Sequence, residues 1–321
     1  MTSLGIDVAK KTFQVVLRRA DKQRHKKFDN TPAGFAQLTQ WLEQQGEPRV
    51  QACLEATGSY SDALARYLHA QGQTVSLVNP ARIKAYAQSR LVRTKNDQVD
   101  AGLIARFCEE AQPAAWSPPP TEQVELQALV RHLESLQGVH QQLRNRLTDG
   151  PQVEVVLKSL RTTLAQLETE MGEVEKQINE HLEQHPQLQE QADLIDSIKG
   201  ISRLTAAKLL GEIPQLGHYQ RAAEVVAYAG LNPRERQSGT SIKGKPRLSK
   251  AGNAQVRKIL YFPAVSALRH NPLIKALGDR LRKRGLCEMA IIGAAMRKLL
   301  HLVFGVIKTG KAFDANHALP A

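Results

Sequence analysis

"SLGIDVAKKTFQVVLRRADKQRHKKF", residues 3–28, alternates short apolar runs with polar breaks. "SLGIDVA" reads as a strand ending in Asp7, "TFQVVLRRA" as a second strand, and "DKQRHKKF" as a polar turn into a third. Downstream, "PAGFAQLTQWLEQQ" has helical spacing, and "VQACLEA" is a β-rich run ending in Glu55. "SYSDALARYLHAQG" is a helix, "TVSLVNP" a strand and "PARIKAYAQSR" a helix. Strands alternating with helices predict an α/β layered domain over residues 1–120.

The next stretch, "RTKNDQVDAGLIARF" at 93–107, opens a helix with Asp97 and Asp100 three residues apart. That spacing puts both carboxylates on one helix face, where like charges repel. In a parallel-type layer, strand ends and helix starts meet at one edge. Asp7, Glu55, Asp97 and Asp100 are therefore expected there together, and a cation would neutralise them. Oxygen-only ligands suit a hard divalent ion such as Mg²⁺, with Mn²⁺ as the other candidate. Two such ions clamp the attacking and leaving oxygens of a phosphoryl transfer. Each residue also has a bland reading. Asp7 suits a turn cap, Asp97 an N-cap and Asp100 the first helical turn. Glu55 after "VQACL" is the hardest to dismiss, because burying a carboxylate without a partner is costly.

From about Thr121 the pattern is helical. Leu157, Leu160, Leu164, Leu167, Met171, Val174 and Ile178 follow a heptad seam. An earlier helix carries Leu126, Leu129, Leu133 and Leu136, and Gly150–Pro151 separates the two. The pair suits an antiparallel hairpin or a dimerising coiled coil over 121–193, and we expect a homo-oligomer, dimer or tetramer. "LIDSIKGISRLTAAKLLGEI", 194–213, is similar to a helix-hairpin-helix, whose Gly turn offers N–H groups to a phosphate. A plain helix turn is the alternative. "RERQSGTSIKGKPRLSKAGN", 234–253, reads as a basic loop, and the remainder is helical to about Gly310, completing a C-terminal domain over 194–321.

The chain has 321 residues and net charge +13. The excess is uneven: residues 151–200 carry 4 Lys/Arg against 10 Asp/Glu, and residues 201–321 carry 21 against 6. A basic third behind an acidic middle points to a polyanion, nucleic acid first. No apolar run of the roughly 18 residues needed to span a membrane is evident, and the start is unlike a signal peptide. Cys53, Cys108 and Cys287 fit no metal spacing and read as reduced, mostly buried thiols of a cytoplasmic protein.

"GIDVAK" at 5–10, "LEATGSY" at 54–60 and "RTKNDQVDA" at 93–101 resemble the DEDD motifs of a RuvC-like, ribonuclease-H-fold transposase domain. "YAGLNPRERQSGTSIKGKPRLSKAGN" at 228–253 is similar to the C-terminal segment of the same proteins, the insertion-sequence one-ten transposases related to the Piv/MooV invertases. The match runs nearly end to end, in the right order. The resemblance implies that Asp7, Glu55, Asp97 and Asp100 are metal ligands. It also implies a serine nucleophile, carried onto Ser238, and a non-coding bridge RNA that selects donor and target double-stranded DNA.

By its residues alone Ser238 is one turn hydroxyl among several, with Thr240, Ser241 and Ser249 equally near basic residues. The resemblance singles it out. Arg234, Arg236, Lys243, Lys245, Arg247 and Lys250 are the expected nucleic-acid contacts, with Arg282, Lys283 and Arg284 as second choices. Aromatic residues are 5% of the chain, which disfavours broad base-stacking platforms. The leading expectation is an RNA-guided DNA recombinase. Two others stand beside it: a hydrolytic RuvC-like nuclease such as a junction resolvase, and a non-catalytic nucleic-acid-binding protein.

Overall fold

A computed structural model describes residues 2–19, 22–56, 58–91, 96–150, 153–238 and 242–315, with backbone alone at 59, 235–238 and 242–246. Two compact units are present, residues 1–118 and 119–321.

The first unit runs β1 (Ser3–Val8), β2 (Thr12–Arg19), β3 (Lys22–Asp29), α1 (Pro32–Gln44), β4 (Gln51–Glu55), α2 (Ser59–Ala70), β5 (Thr74–Val78), α3 (Pro80–Ser89) and α4 (Asp97–Ala111). The strands form one sheet in the order β3-β2-β1-β4-β5. β1, β2 and β3 are antiparallel neighbours, whereas β4 and β5 run parallel to β1. Alternate side chains serve opposite faces. Leu4, Ile6, Val8, Phe13, Val15 and Phe28 join Phe35, Trp41 and Leu64 in one core layer. On the other face, Cys53 and Val78 pack with Ile83, Leu103, Ile104 and Phe107, and Val16 meets Ala101 and Ala105. α4 thus lies on the face opposite Trp41.

Local chemistry starts the helices. Thr31, Asn79 and Asn96 cap α1, α3 and α4 by accepting from Gly34, Ala81 and Val99 N–H groups. Pro32 and Pro80 occupy the first helical turn, where a missing N–H costs nothing.

Two sequence expectations are corrected. "DKQRHKKF" is not a turn into a third strand: Lys22–Asp29 is that strand. Its only buried side chain is Phe28. It is a sheet edge, where charge suits solvent on an open side. The 234–253 stretch is not a loop but mostly an antiparallel ribbon, β6–β7, described below.

The second unit continues with α5 (Thr121–Asp149), α6 (Glu154–Gln184), α7 (Pro186–Asp196), α8 (Arg203–Glu212), α9 (Ala222–Tyr228), β6 (Pro233–Ser238), β7 (Ile242–Leu248), α10 (Ala254–His270), α11 (Pro272–Lys283) and α12 (Glu288–Thr309). α5 and α6 form an antiparallel hairpin within the chain. His181 near the end of α6 bonds the Glu122 carbonyl at the start of α5 at 2.8 Å, and His140 meets Glu168 at 3.1 Å midway. The seam residues Leu157, Leu164, Val174 and Ile178 are buried. Among the described residues α12 alone is long and apolar enough to cross a membrane. That departs from the sequence expectation of no such span, yet Ile291, Leu299, Leu300, Leu302, Val303 and Val306 bury it in this unit's core. Cys53 and Cys108 are buried thiols, and Cys287 is exposed.

Candidate active site

Asp7 and Glu55 are brought together by strand register. Ile6 pairs with Leu54 across the parallel β1–β4 ladder, so Asp7 and Glu55 follow one step later, on the same face and at the same sheet edge. That face is the one α4 covers. Gly5, two residues before Asp7, makes the covering possible. A Cβ there would lie 2.1 Å from the Ala101 carbonyl oxygen and 2.2 Å from the Ala105 nitrogen. Helix backbone rests directly on strand backbone.

The helix runs antiparallel to β1. Its last turns lie at the opening end of the strands: Glu109 pairs with Arg18, the register partner of Ser3, and the Cys108 thiol donates to the Gln51 carbonyl at 3.6 Å. Its first turn therefore lies at the closing end, beside Asp7 and Glu55. Asn96 is the N-cap, so the capping role suggested for Asp97 belongs to its neighbour. Asp97 and Asp100 fall in the first turn, where the helix dipole favours negative charge. Asp97 is exposed; Asp7, Glu55 and Asp100 are half-buried. The far end of α4 is held by Glu110, which accepts from the Tyr86 hydroxyl at 2.6 Å and pairs with Arg90 and Arg106. The Tyr86 hydrogen bond, with help from the two arginines, holds the Glu110 carboxyl down to about 2.

The backbone gathers four carboxylate positions at one edge. Among the described residues, however, no three carboxylate, imidazole or thiol side chains converge closely enough to hold one ion. Like charges favour separated side chains. The donor set is all carboxylate oxygen, which fits a hard divalent ion and not a thiophilic one.

Ser238 ends β6 and pairs with Ile242 of β7. The side chains of Arg236, Ser238, Lys243 and Lys245, and all of residues 239–241, lie outside the described residues. Arg234, Arg247 and Lys250 are exposed. Ser249 donates its hydroxyl to the Gly230 carbonyl at 3.2 Å, which gives it a structural task. Arg282 is engaged within the chain, bonding Glu288 at 2.8 Å and Asp279 at 3.1 Å, whereas Lys283 and Arg284 are exposed.

The base of the ribbon is tightly built. Gly230 has φ +66, and a Cβ there would meet the Arg257 guanidinium at 2.9 Å. Asn253 N–H donates to the Tyr228 carbonyl at 2.7 Å, and Lys250 N–H to the Gly230 carbonyl at 3.0 Å. Beneath lies Glu212, only 2% exposed. It accepts two bonds from Arg131, at 2.6 and 3.1 Å, and one from the Asn253 amide at 3.2 Å. Sequence reasoning missed this network, because Arg131 and Glu212 lie 81 residues apart and no motif links them. The Gly turn at 199–202 is seated on its own unit. Gly200 approaches Ala267, and the Asn271 amide donates to the Lys199 carbonyl at 3.1 Å.

A family model for DEDD transposases of the IS110 type, described as "Transposase", matches residues 4–150, and one described as "Transposase IS116/IS110/IS902 family" matches residues 192–279. The chain is 32% identical over 317 residues to the pilin gene-inverting protein of Moraxella bovis, covering 98% of both chains. It is 25% identical over 309 residues to the transposase for insertion sequence element IS1111A of Coxiella burnetii, covering 83% of this chain and 78% of that one. A family of this DEDD type implies a divalent metal and DNA substrates. The chain belongs to the IS110 family of insertion-sequence transposases and is a DNA recombinase.

Proposed function

We propose that this transposase cuts and rejoins donor and target double-stranded DNA through a serine–phosphodiester intermediate, guided by a bridge RNA. The observation that carries the catalytic part is the meeting of Asp7, Glu55 and the first turn of α4 at one sheet edge. The sheet order β3-β2-β1-β4-β5 supports a RuvC-like ribonuclease-H fold for the first unit. Asp7, Glu55, Asp97 and Asp100 would hold Mg²⁺, or Mn²⁺, which when bound polarises phosphoryl oxygens.

Ser238 is the nucleophile in this reading. Its hydroxyl attacks phosphorus and loses its proton. One P–O ester bond breaks, leaving a phosphoserine diester and a free DNA hydroxyl. Attack by a DNA hydroxyl on the phosphoserine reverses the exchange, so the ends rejoin without an external energy source. Arg234, Arg236, Lys243, Lys245, Arg247 and Lys250 are placed by sequence along the same ribbon and its base, and they would neutralise nucleic-acid phosphates. Bridge-RNA guidance rests on the family resemblance. We further infer a homo-oligomer. Val153, Val155 and Val156, with Val155 79% exposed, give the tip of the α5–α6 hairpin an apolar surface for a second copy. A cytoplasmic, nucleoid-associated enzyme is consistent with these roles.

The test is a denaturing protein gel after incubation with the element's RNA, end-labelled donor and target DNA, and Mg²⁺. Wild-type protein is expected to carry covalent label, and Ser238→Ala to carry none. Cleaved DNA with no protein-bound label, unchanged in Ser238→Ala, would identify a water-using nuclease instead.

A further inference from the structure

The five-stranded sheet treats its two edges differently. At the β5 edge the chain returns: Trp116 N–H donates to the Val75 carbonyl at 2.7 Å, and the Ser76 hydroxyl to the Pro113 carbonyl at 3.0 Å. Among the described residues β3 has no strand beyond it, and every side chain from Lys22 to Lys27 is exposed. An open edge invites pairing with another chain, and charge discourages it. β3 does more than that requires. It carries Lys22, Arg24, His25, Lys26 and Lys27, and its one acid is Asp29 at the end. Charge of either sign protects an edge. Lysine mixed with glutamate would serve as well, without the mutual repulsion.

Register sorts these cations into two sets. Val16 pairs with His25 and Arg18 with Gln23, and all four line a groove against α4. Lys22, Arg24 and Lys26 therefore point to the opposite face, the one that buries Phe28. Lys26 reaches over the Phe28 ring, its Nζ 5.3 Å from the centroid. Residues two apart on a strand stand roughly 6.8 Å apart, so the three cations form a row roughly 13 Å long. Lys22 is also directly opposite Arg19, a like-charge pairing that costs stability. Glu47 offsets Arg19 at 3.3 Å. Among the described residues Lys22, Arg24 and Lys26 make no ion pair. An exposed row of one sign, with no acid between its members, is complementary to a polyanion. Its one aromatic neighbour, Phe28, is buried, so the row suits phosphates and offers no platform for bases.

We propose that Lys22, Arg24 and Lys26 form a DNA-binding surface on the first unit, distinct from the β6–β7 ribbon, which holds the sugar–phosphate backbone of the duplex this recombinase acts on. The polyanion is DNA because the family's substrate is DNA. The surface goes beyond the catalytic reading above and stands without it, since no step at Ser238 or at the carboxylates enters the argument.

The test is binding of the full chain to a fluorescent DNA duplex, read by anisotropy over a salt series without divalent metal. Each phosphate contact contributes about 0.9 to the slope of log affinity against log salt. A Lys22→Gln/Arg24→Gln/Lys26→Gln protein is expected to lose about 2–3 units of slope and to bind at least about tenfold more weakly. A charge-matched Arg49→Gln/Arg66→Gln/Lys84→Gln protein, altered elsewhere on the same unit, is expected to keep its slope within about one unit. A Lys22→Glu/Arg24→Glu/Lys26→Glu protein separates DNA binding from edge protection. It keeps a charged edge, so it is expected to stay soluble while binding DNA more weakly than the glutamine protein. An unchanged slope in the glutamine protein, an equal loss in the charge-matched protein, full DNA affinity in the glutamate protein, or a loss seen with an RNA duplex but not with DNA would each overturn the surface. Should the triple variant melt early, Arg24→Gln alone is measured: a loss of about one slope unit supports the row, and no loss overturns it. The assay involves no strand cleavage, so a failure of the serine or metal reading leaves its outcome unaffected.

Discussion

Asp7 and Glu55 stand side by side on adjacent parallel strands, one step past the paired Ile6 and Leu54. They share the α4 face, and both are half-buried. Two carboxylates so placed repel each other, and a bound cation would offset that repulsion. Asp7→Asn and Glu55→Gln should each lower metal-dependent strand cleavage by about 10²-fold or more. Cleavage kinetics check this, and full activity in either variant would remove that residue from the site.

Gly5→Ala tests the contact that sets α4. The new methyl would collide with the Ala101 carbonyl, and backbone cannot rotate aside as a side chain can. Overpacking of this kind costs about 1–3 kcal/mol. Activity should fall further than stability, because the helix that must shift carries Asp97 and Asp100. Chemical denaturation and a cleavage assay on one preparation measure the two effects.

Arg131→Met should loosen the ribbon base. It leaves the Glu212 carboxylate buried with the Asn253 amide as its side-chain partner. Arg131 is about half exposed, so the loss falls below that of a fully buried pair, at about 1–3 kcal/mol. Glu212→Gln should be milder, since an amide needs no counter-charge. Urea unfolding of both variants, with hydrogen exchange at Lys250 and Asn253, reports stability and ribbon anchoring together.

His301 on α12 gives a pH prediction. Burial, then the nearby Arg297 and Lys298, lowers its pKa below the ordinary 6.5. The unfolded chain then binds the proton more readily than the folded one. Stability from the neutral ring is complete above about pH 6.5 and is lost as pH falls toward the folded value. His301→Gln should flatten the fall in melting temperature between pH 7 and 5. An unchanged slope would assign that fall to other groups.

Much of the first unit was legible because its strands carry Val, Ile and Leu and its helices carry caps. Thr31–Pro32 and Asn79–Pro80 announce α1 and α3 in the sequence itself. β3 was not legible, since an edge strand facing solvent has no apolar alternation to read beyond Phe28. β6–β7 failed for the same reason: "RERQS" and "IKGKPRL" have the composition of a loop, and only pairing makes them strands. The heptad of α6 named a seam but not its partner, because α5 and a second copy would fill it with the same side chains. The four carboxylate positions were readable as motifs. Their nearness depends on the parallel β1–β4 register and on Gly5, and neither is a local property of the residues involved. The Glu212 network depends on a contact between elements 81 residues apart.

α4 is anchored at one end, by Glu109 and Glu110, and carries its acidic pair at the other. Such an element behaves like a key whose teeth are cut at the tip and whose bow is clamped. Each inserted residue turns a helix by about 100°. A single codon gained between Asp100 and Ala105 would leave all four carboxylates present in the gene, yet swing both aspartates away from Asp7. The same codon gained after Gln112, beyond the clamp, would be silent. Length variation in this stretch is therefore a frameshift in three dimensions, and the fold tolerates it only where the helix has finished.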